Sequence, residues 1–222
     1  MAPRAGRGVM LAQDPVRDAA AMAIGIDEVE TPQALAAIHR PDCAAVIWRR
    51  PVQADFQRWI DSVTPDALPR GRVILRPADA GRAVSDMCAA AGMPQTVHCN
   101  DLIDDIASLA EIFAQHMRAR WLRLRLAAVH TNACRKFHID AITARLVCTY
   151  RGAGTRYGIS SDGAAPQRIF TVPTGAPIML RGTLWPETPR SGLLHRSPPI
   201  EGTGATRCVL VLDPVDDPSH EV

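Results

Sequence analysis

The sequence predicts an α+β fold: a double-stranded β-helix (jelly roll) core over residues 121–222, with an N-terminal, mostly helical and mixed extension packed on it. Three observations carry this. Up to residue 120, apolar residues recur largely at helical spacing; beyond it they fall into short alternating runs. Glycine- and proline-marked turns separate those runs at regular intervals, as in an all-β sandwich or barrel. The length of 222 residues, with 47% hydrophobic and 22% charged content, suits one large domain or a core with an N-terminal extension.

Taken in order, residues 1–30 have weak periodicity and are expected to be loosely ordered. TPQALAAIHR (31–40) predicts a short helix, with Thr31 as N-cap and Pro32 at the first helical position. CAAVIW (43–48) reads as a buried strand, ADFQRWIDSV (54–63) as an amphipathic helix and RVILR (72–76) as a strand. ADAGRAVSDMCAAAG (78–92) is a further helix ending near Gly92 and Pro94. The clearest helix is 101–119: Leu102, Ile106, Leu109, Phe113 and Met117 share one face, Asn100 can cap it, and the Met/Phe stripe is core. Residues 31–120 thus form an N-terminal α/β portion with a long packing helix.

In WLRLRLAAV (121–129), Leu122, Leu124 and Leu126 alternate with Arg123 and Arg125, the period of a half-buried strand. Further strands are expected at 144–150, 168–172, 177–181, 192–196 and 206–213, with turns at RGAG (151–154), SDG (161–163), PTG (173–175) and EGTG (201–204).

Composition narrows the function. A formal net charge of +2, with the basic residues spread out, points to neither nucleic acid nor an acidic membrane as partner. Lys136 is the only lysine, so lysine-based catalysis would have to come from it. The six cysteines include no C-x-x-C pair and no zinc-finger spacing, which fits reduced thiols in a cytoplasmic protein. No run is long enough to span a bilayer, and Asp14 and Asp18 before AAAMAIGI (19–26) make a poor signal peptide.

The chemistry concentrates in FHIDAITARLVCTY. His138 and Asp140 are two residues apart, which in extended chain puts both side chains on one face, towards the mouth of a barrel. His195, in LLHRSPP, supplies a third donor from a distant strand. Two imidazoles and a carboxylate form the facial triad of a non-haem Fe(II) site and equally suit Zn(II). Arg207 opens the last strand, where a guanidinium can hold a carboxylate bidentately. The plainer roles are a strand-end histidine bonded to a carbonyl for His195, and an ion pair with Asp213, Glu201 or Glu187 for Arg207. His98, His116 and His130 have no partner at ligand spacing.

The order His-x-Asp, distant His, then Arg on the last strand resembles the Fe(II)/2-oxoglutarate-dependent dioxygenases. VPTGAPIMLRG (172–182) is similar to the segment before their second histidine, and H-R-S-P (195–198) to that of phytanoyl-hydroxylase-like members. More closely, CRKFHIDAITARLVCTYRGAGT with LLHRSPP resembles the bacterial domain-of-unknown-function family 1826, over most of the chain. The resemblance implies a dioxygenase with Fe(II) on His138, Asp140 and His195. The co-substrate 2-oxoglutarate would lie on Arg207, with Tyr150 and Ser197, and also Thr149 and Arg145, as further binding candidates. The superfamily's Arg-x-Ser pair is absent, since Cys208 and Val209 follow Arg207. Two other readings stand beside this one. The first is a zinc- or iron-binding accessory or sensor protein on the same barrel, and the second a cupin-like isomerase or metal-free barrel. The substrate, a small molecule or a protein, and the oligomeric state are left open.

Overall fold

The computed structural model describes residues 22–160 and 162–220. Twelve strands and three α-helices alternate along it: β1 (Met22–Ala23), β2 (Gly25–Val29), β3 (Cys43–Trp48), α1 (Ala54–Ser62), β4 (Gly71–Leu75), α2 (Ala80–Ala90) and α3 (Val97–Met117), then β5 (Trp121–Val129), β6 (Ala144–Arg151), β7 (Arg156–Ile159), β8 (Phe170–Thr171), β9 (Ile178–Arg181), β10 (Arg190–Ser191), β11 (Leu193–Arg196) and β12 (Arg207–Val215). The fold is mixed α+β. Its largest sheet has seven strands in the order β2-β3-β9-β6-β12-β5-β4, with every neighbouring pair antiparallel except β2–β3. A three-stranded antiparallel sheet, β11-β7-β8, and a short parallel pair, β1-β10, complete the described strands.

The long sheet buries both faces, and strand alternation assigns the residues. Leu122, Leu124 and Leu126 of β5, Leu146 and Cys148 of β6 and Leu210 and Leu212 of β12 join the core formed with the helices. In that core Leu102, Ile106, Leu109 and Phe113 of α3 are fully buried. Burying each such side chain contributes about 1.5–3 kcal/mol. The opposite face carries Ile47, Ile178, Leu180, Val147, Val209 and Val211, which form a second core with Tyr157 and Leu193 of the three-stranded sheet. That second face carries the site.

Several expectations shift. The loose order expected for residues 1–30 lies outside the described residues as far as 21, but from Met22 the chain forms β1 and β2. Strands β2, β3 and β4 extend the same sheet as β5, β6, β9 and β12, so the N-terminal portion is continuous with the C-terminal strands as well as layered on them. Residues 33–39 form a 3-10 helix with no side-chain cap; Thr31 contributes its carbonyl, accepting from Ala34 N, and not its hydroxyl. Helix α3 starts earlier than expected, because Thr96 accepts a hydrogen bond from Cys99 N at 3.3 Å and caps it, leaving Asn100 inside the first turn. Among the described residues no helix is long and apolar enough to cross a membrane. All six cysteines are free and only Cys134 is exposed.

Candidate metal centre

The loop between β5 and β6 carries His138 and Asp140, and β11 carries His195. An isolated antiparallel bridge joins them: His138 N donates to His195 O at 3.1 Å, and His195 N donates to His138 O at 2.9 Å. Residues paired in this way face the same side, so the two imidazoles lie together with ring centroids 4.6 Å apart. Asp140 then reaches both rings. Its Oδ2 is 3.0 Å from His195 Nε2 and its Oδ1 is 3.5 Å from His138 Nε2.

One donor atom from each of the three residues lies within 4.8 Å of the others. Adjacent ligands about 2.1 Å from a six-coordinate ion stand about 3 Å apart, which matches the Asp140–His195 spacing. Asp140 Oδ2 is buried and, despite its nearness to His195, has no partner in hydrogen-bond alignment. His138 Nδ1 lies 2.9 Å from the Lys136 carbonyl, an acceptor only, so Nδ1 carries the proton and Nε2 presents its lone pair to the site. The donor set therefore fits a mononuclear divalent metal.

Asp140 is oriented from behind. Arg145 contacts Asp140 Oδ1 at 2.6 Å through one terminal nitrogen, and forks onto Asp213 at 2.6 and 2.8 Å through its other edge. Arg123 reaches the same Asp213 at 3.5 Å. Burial would raise the Asp140 carboxyl, but His195 beside it, with Arg145 and His138, outweighs that and lowers it to about 2. The backbone of the loop is also clamped, since Gly182 N donates to Thr143 O, Thr183 N to Asp140 O and Leu184 N to Ile142 O.

His138, His195, Arg145, Ser197 and Arg207 line one cavity of about 210 Å³, walled by Val129, Val147, Val209 and Val211. Arg207 is 3% exposed. It donates from Nε to Ala153 O at 2.6 Å and from a terminal nitrogen to Thr149 Oγ1 at 3.1 Å. It pairs with none of the acids expected as alternatives: Asp213 is held by Arg145 and Arg123, Glu201 by Arg135, and no described carboxylate contacts Arg207. Burial without an acidic partner lowers the guanidinium to about 10.

Tyr150 is a correction. Alternation along β6 turns it to the helix face, where its hydroxyl donates to Asp105 at 2.6 Å beside Arg50, and it is absent from the cavity. Ser197 does line the cavity, and Thr149 reaches it through Arg207. The three remaining histidines named above are satisfied elsewhere: His98 at Asp101, His116 at the Pro32 carbonyl and His130 at Thr206. Sequence reasoning missed Asp213 as the residue behind Arg145; the only signal was its matching parity on a strand beside β6.

A family model described as a protein of unknown function (DUF1826) matches residues 29–213. Curated proteins provide no match. Among solved structures, the dioxygenase for auxin oxidation 1 of Arabidopsis thaliana, in its 2-oxoglutarate complex, aligns over 90% of this chain and 95% of its own. The TM-score is 0.55 at 10% identity, which is a likeness of fold. The rice dioxygenase for auxin oxidation aligns over 88% and 84% of the two chains, at 12% identity and a TM-score of 0.48. A Pseudomonas putida prolyl-4-hydroxylase aligns over 82% and 97%, at 13% identity and a TM-score of 0.43.

Proposed function

This chain belongs to the DUF1826 family, and from that premise we propose that it is a non-haem Fe(II)/2-oxoglutarate-dependent dioxygenase that hydroxylates its substrate. The seven- and three-stranded sheets are read as the two walls of a double-stranded β-helix, with residues 121–222 as its core and 31–120 as the extension that completes one wall and covers its outer face. The fold shared with a dioxygenase solved with 2-oxoglutarate supports this.

One observation carries the reading. A buried arginine with no acidic partner among the described residues lines the same small cavity as His138 and His195, the two imidazoles of the His/Asp/His donor set. Leaving a guanidinium buried and uncompensated is unfavourable, and the arrangement makes sense if a ligand carboxylate completes it. The distal carboxylate of 2-oxoglutarate would do so, with its keto acid end towards the metal.

His138, Asp140 and His195 would hold Fe(II) on one face. Bound there, the metal supplies the dioxygen chemistry that couples conversion of 2-oxoglutarate to succinate and CO2 with insertion of one oxygen atom into a substrate C–H bond. The protein's own part is geometric. Arg145, anchored on Asp213, keeps the Asp140 carboxylate aimed, and His195, with Arg145 after it, favours its ionised form. The Lys136 carbonyl keeps His138 in one tautomer. Arg207 orients the co-substrate, and the valines supply an apolar wall beside it.

Anaerobic titration with Fe(II) and 2-oxoglutarate tests this, read by the metal-to-ligand charge-transfer band and, after air is admitted, by succinate release. Both signals are expected. Tight Zn(II) binding with neither signal would replace the dioxygenase by a metal-binding accessory or sensor protein.

A further inference from the structure

The cavity holds more positive charge than the metal and co-substrate reading uses. Arg125, Arg145, Arg196 and Arg207 all line it, and no acidic side chain among the described residues does. Arg145 is spent on Asp140 and Asp213. Arg207 is assigned to the co-substrate, and the inference rests on the dioxygenase reading for that assignment. Arg125 and Arg196 are left over. Neither contacts a described carboxylate, and Glu201, on the segment after β11, is taken by Arg135 and Asn132.

Arg125 stands on β5 directly opposite Val211 of β12, on the cavity face of the sheet, with its side chain exposed. A lone exposed arginine is ordinarily just solvated. Arg196 is different. Its guanidinium lies over the Phe137 ring at 4.5 Å, and among the described residues its Nε is buried without a hydrogen-bond partner and its one acceptor is the Arg135 carbonyl at 3.4 Å. A planar cation held on an aromatic face with unused donors is preorganised for an anion. Ala127, Val129 and Val209 line the same cavity. That lining suits a short aliphatic segment. A space of about 210 Å³ excludes a polymer strand or a folded partner from the interior.

We propose that the primary substrate is a small organic anion, its carboxylate or phosphate held by Arg125 and Arg196 and its aliphatic carbon directed towards His195. The reaction then balances as substrate C–H plus dioxygen plus 2-oxoglutarate giving substrate C–OH plus succinate plus CO2.

The test is calorimetric titration of the full chain, loaded with Fe(II) and saturating 2-oxoglutarate under argon. Short aliphatic carboxylates and alkyl phosphates are compared with their matched amides and alcohols. Anions are expected to bind and the neutral analogues to bind at least about tenfold more weakly, with Arg125→Gln and Arg196→Gln each weakening the anion about tenfold and Arg196→Lys recovering part of the loss. A preference for carboxylate or for phosphate identifies the source of the charge. Equal binding of anions and neutral analogues, with the charge-transfer band present, overturns the anion site and leaves the dioxygenase standing. Anion binding sensitive to Arg125 and Arg196, with no band, keeps the anion site and removes the dioxygenase.

Discussion

His138 and His195 each donate a backbone hydrogen bond to the other's carbonyl, at 3.1 and 2.9 Å, in a bridge that stands apart from any longer strand pairing. The candidate metal centre is therefore built on main-chain pairing, and the side chains inherit their convergence from it. Its weak points are the elements that position the loop carrying Asp140.

Gly182 is one of them. A methyl group there would collide with the Ile142 carbonyl oxygen and crowd that of Asp140. Gly182→Ala should push the Asp140 loop away, cost about 1–3 kcal/mol of stability and lower metal affinity about tenfold or more. Chemical denaturation and a competitive chelator titration would check this. Unaltered metal affinity would show that the loop is not held by this close approach.

Asp213→Asn keeps the shape but removes the charge that anchors Arg145 and Arg123. A buried pair broken on one side costs about 3–5 kcal/mol. The Asp140 carboxylate should also lose its aim, with metal affinity falling about 10–100-fold. If thermal melting shows no destabilisation, Asp213 is not the anchor.

Arg207→Gln and Tyr150→Phe separate the two faces of the sheet. The first should weaken 2-oxoglutarate about a hundredfold while metal content is retained. The second should leave co-substrate affinity within about twofold, yet cost about 1.5–3 kcal/mol, because the Tyr150 hydroxyl bonds a charged Asp105. Equal effects of the two on 2-oxoglutarate would mean that Tyr150 acts through the sheet.

Metal linkage gives a test free of turnover. At a hundred times its dissociation constant, a divalent metal that binds only the folded chain adds about 2.7 kcal/mol, or about 5–10 °C in Tm for a chain of this size. A chelator should reverse the shift, and Asp140→Asn should abolish it. A full shift in Asp140→Asn would place the bound metal elsewhere.

Much of this was legible in the chain. Strands 43–48 and 121–129 appear as expected, and the α3 stripe is core, because period and burial are written directly in residue order. The short strands β7 and β10 were not, since two to four residues carry too little pattern. Tyr150 was misplaced for a related reason: proximity in sequence to Arg145 and Thr149 says nothing of facing until strand parity is known.

The sequence by itself determined the candidate donors, His138, Asp140 and His195, the arginine on the last strand, and the division between helical and β texture. These follow from side-chain chemistry and local period. Only the tertiary structure decided that Asp213 anchors Arg145, that Arg207 is buried with no acid beside it, and that Arg125 and Arg196 share its cavity. Whether an arginine meets a carboxylate or waits for a ligand depends on which strands become neighbours and in what register. That is a property of long-range pairing, and no local pattern encodes it.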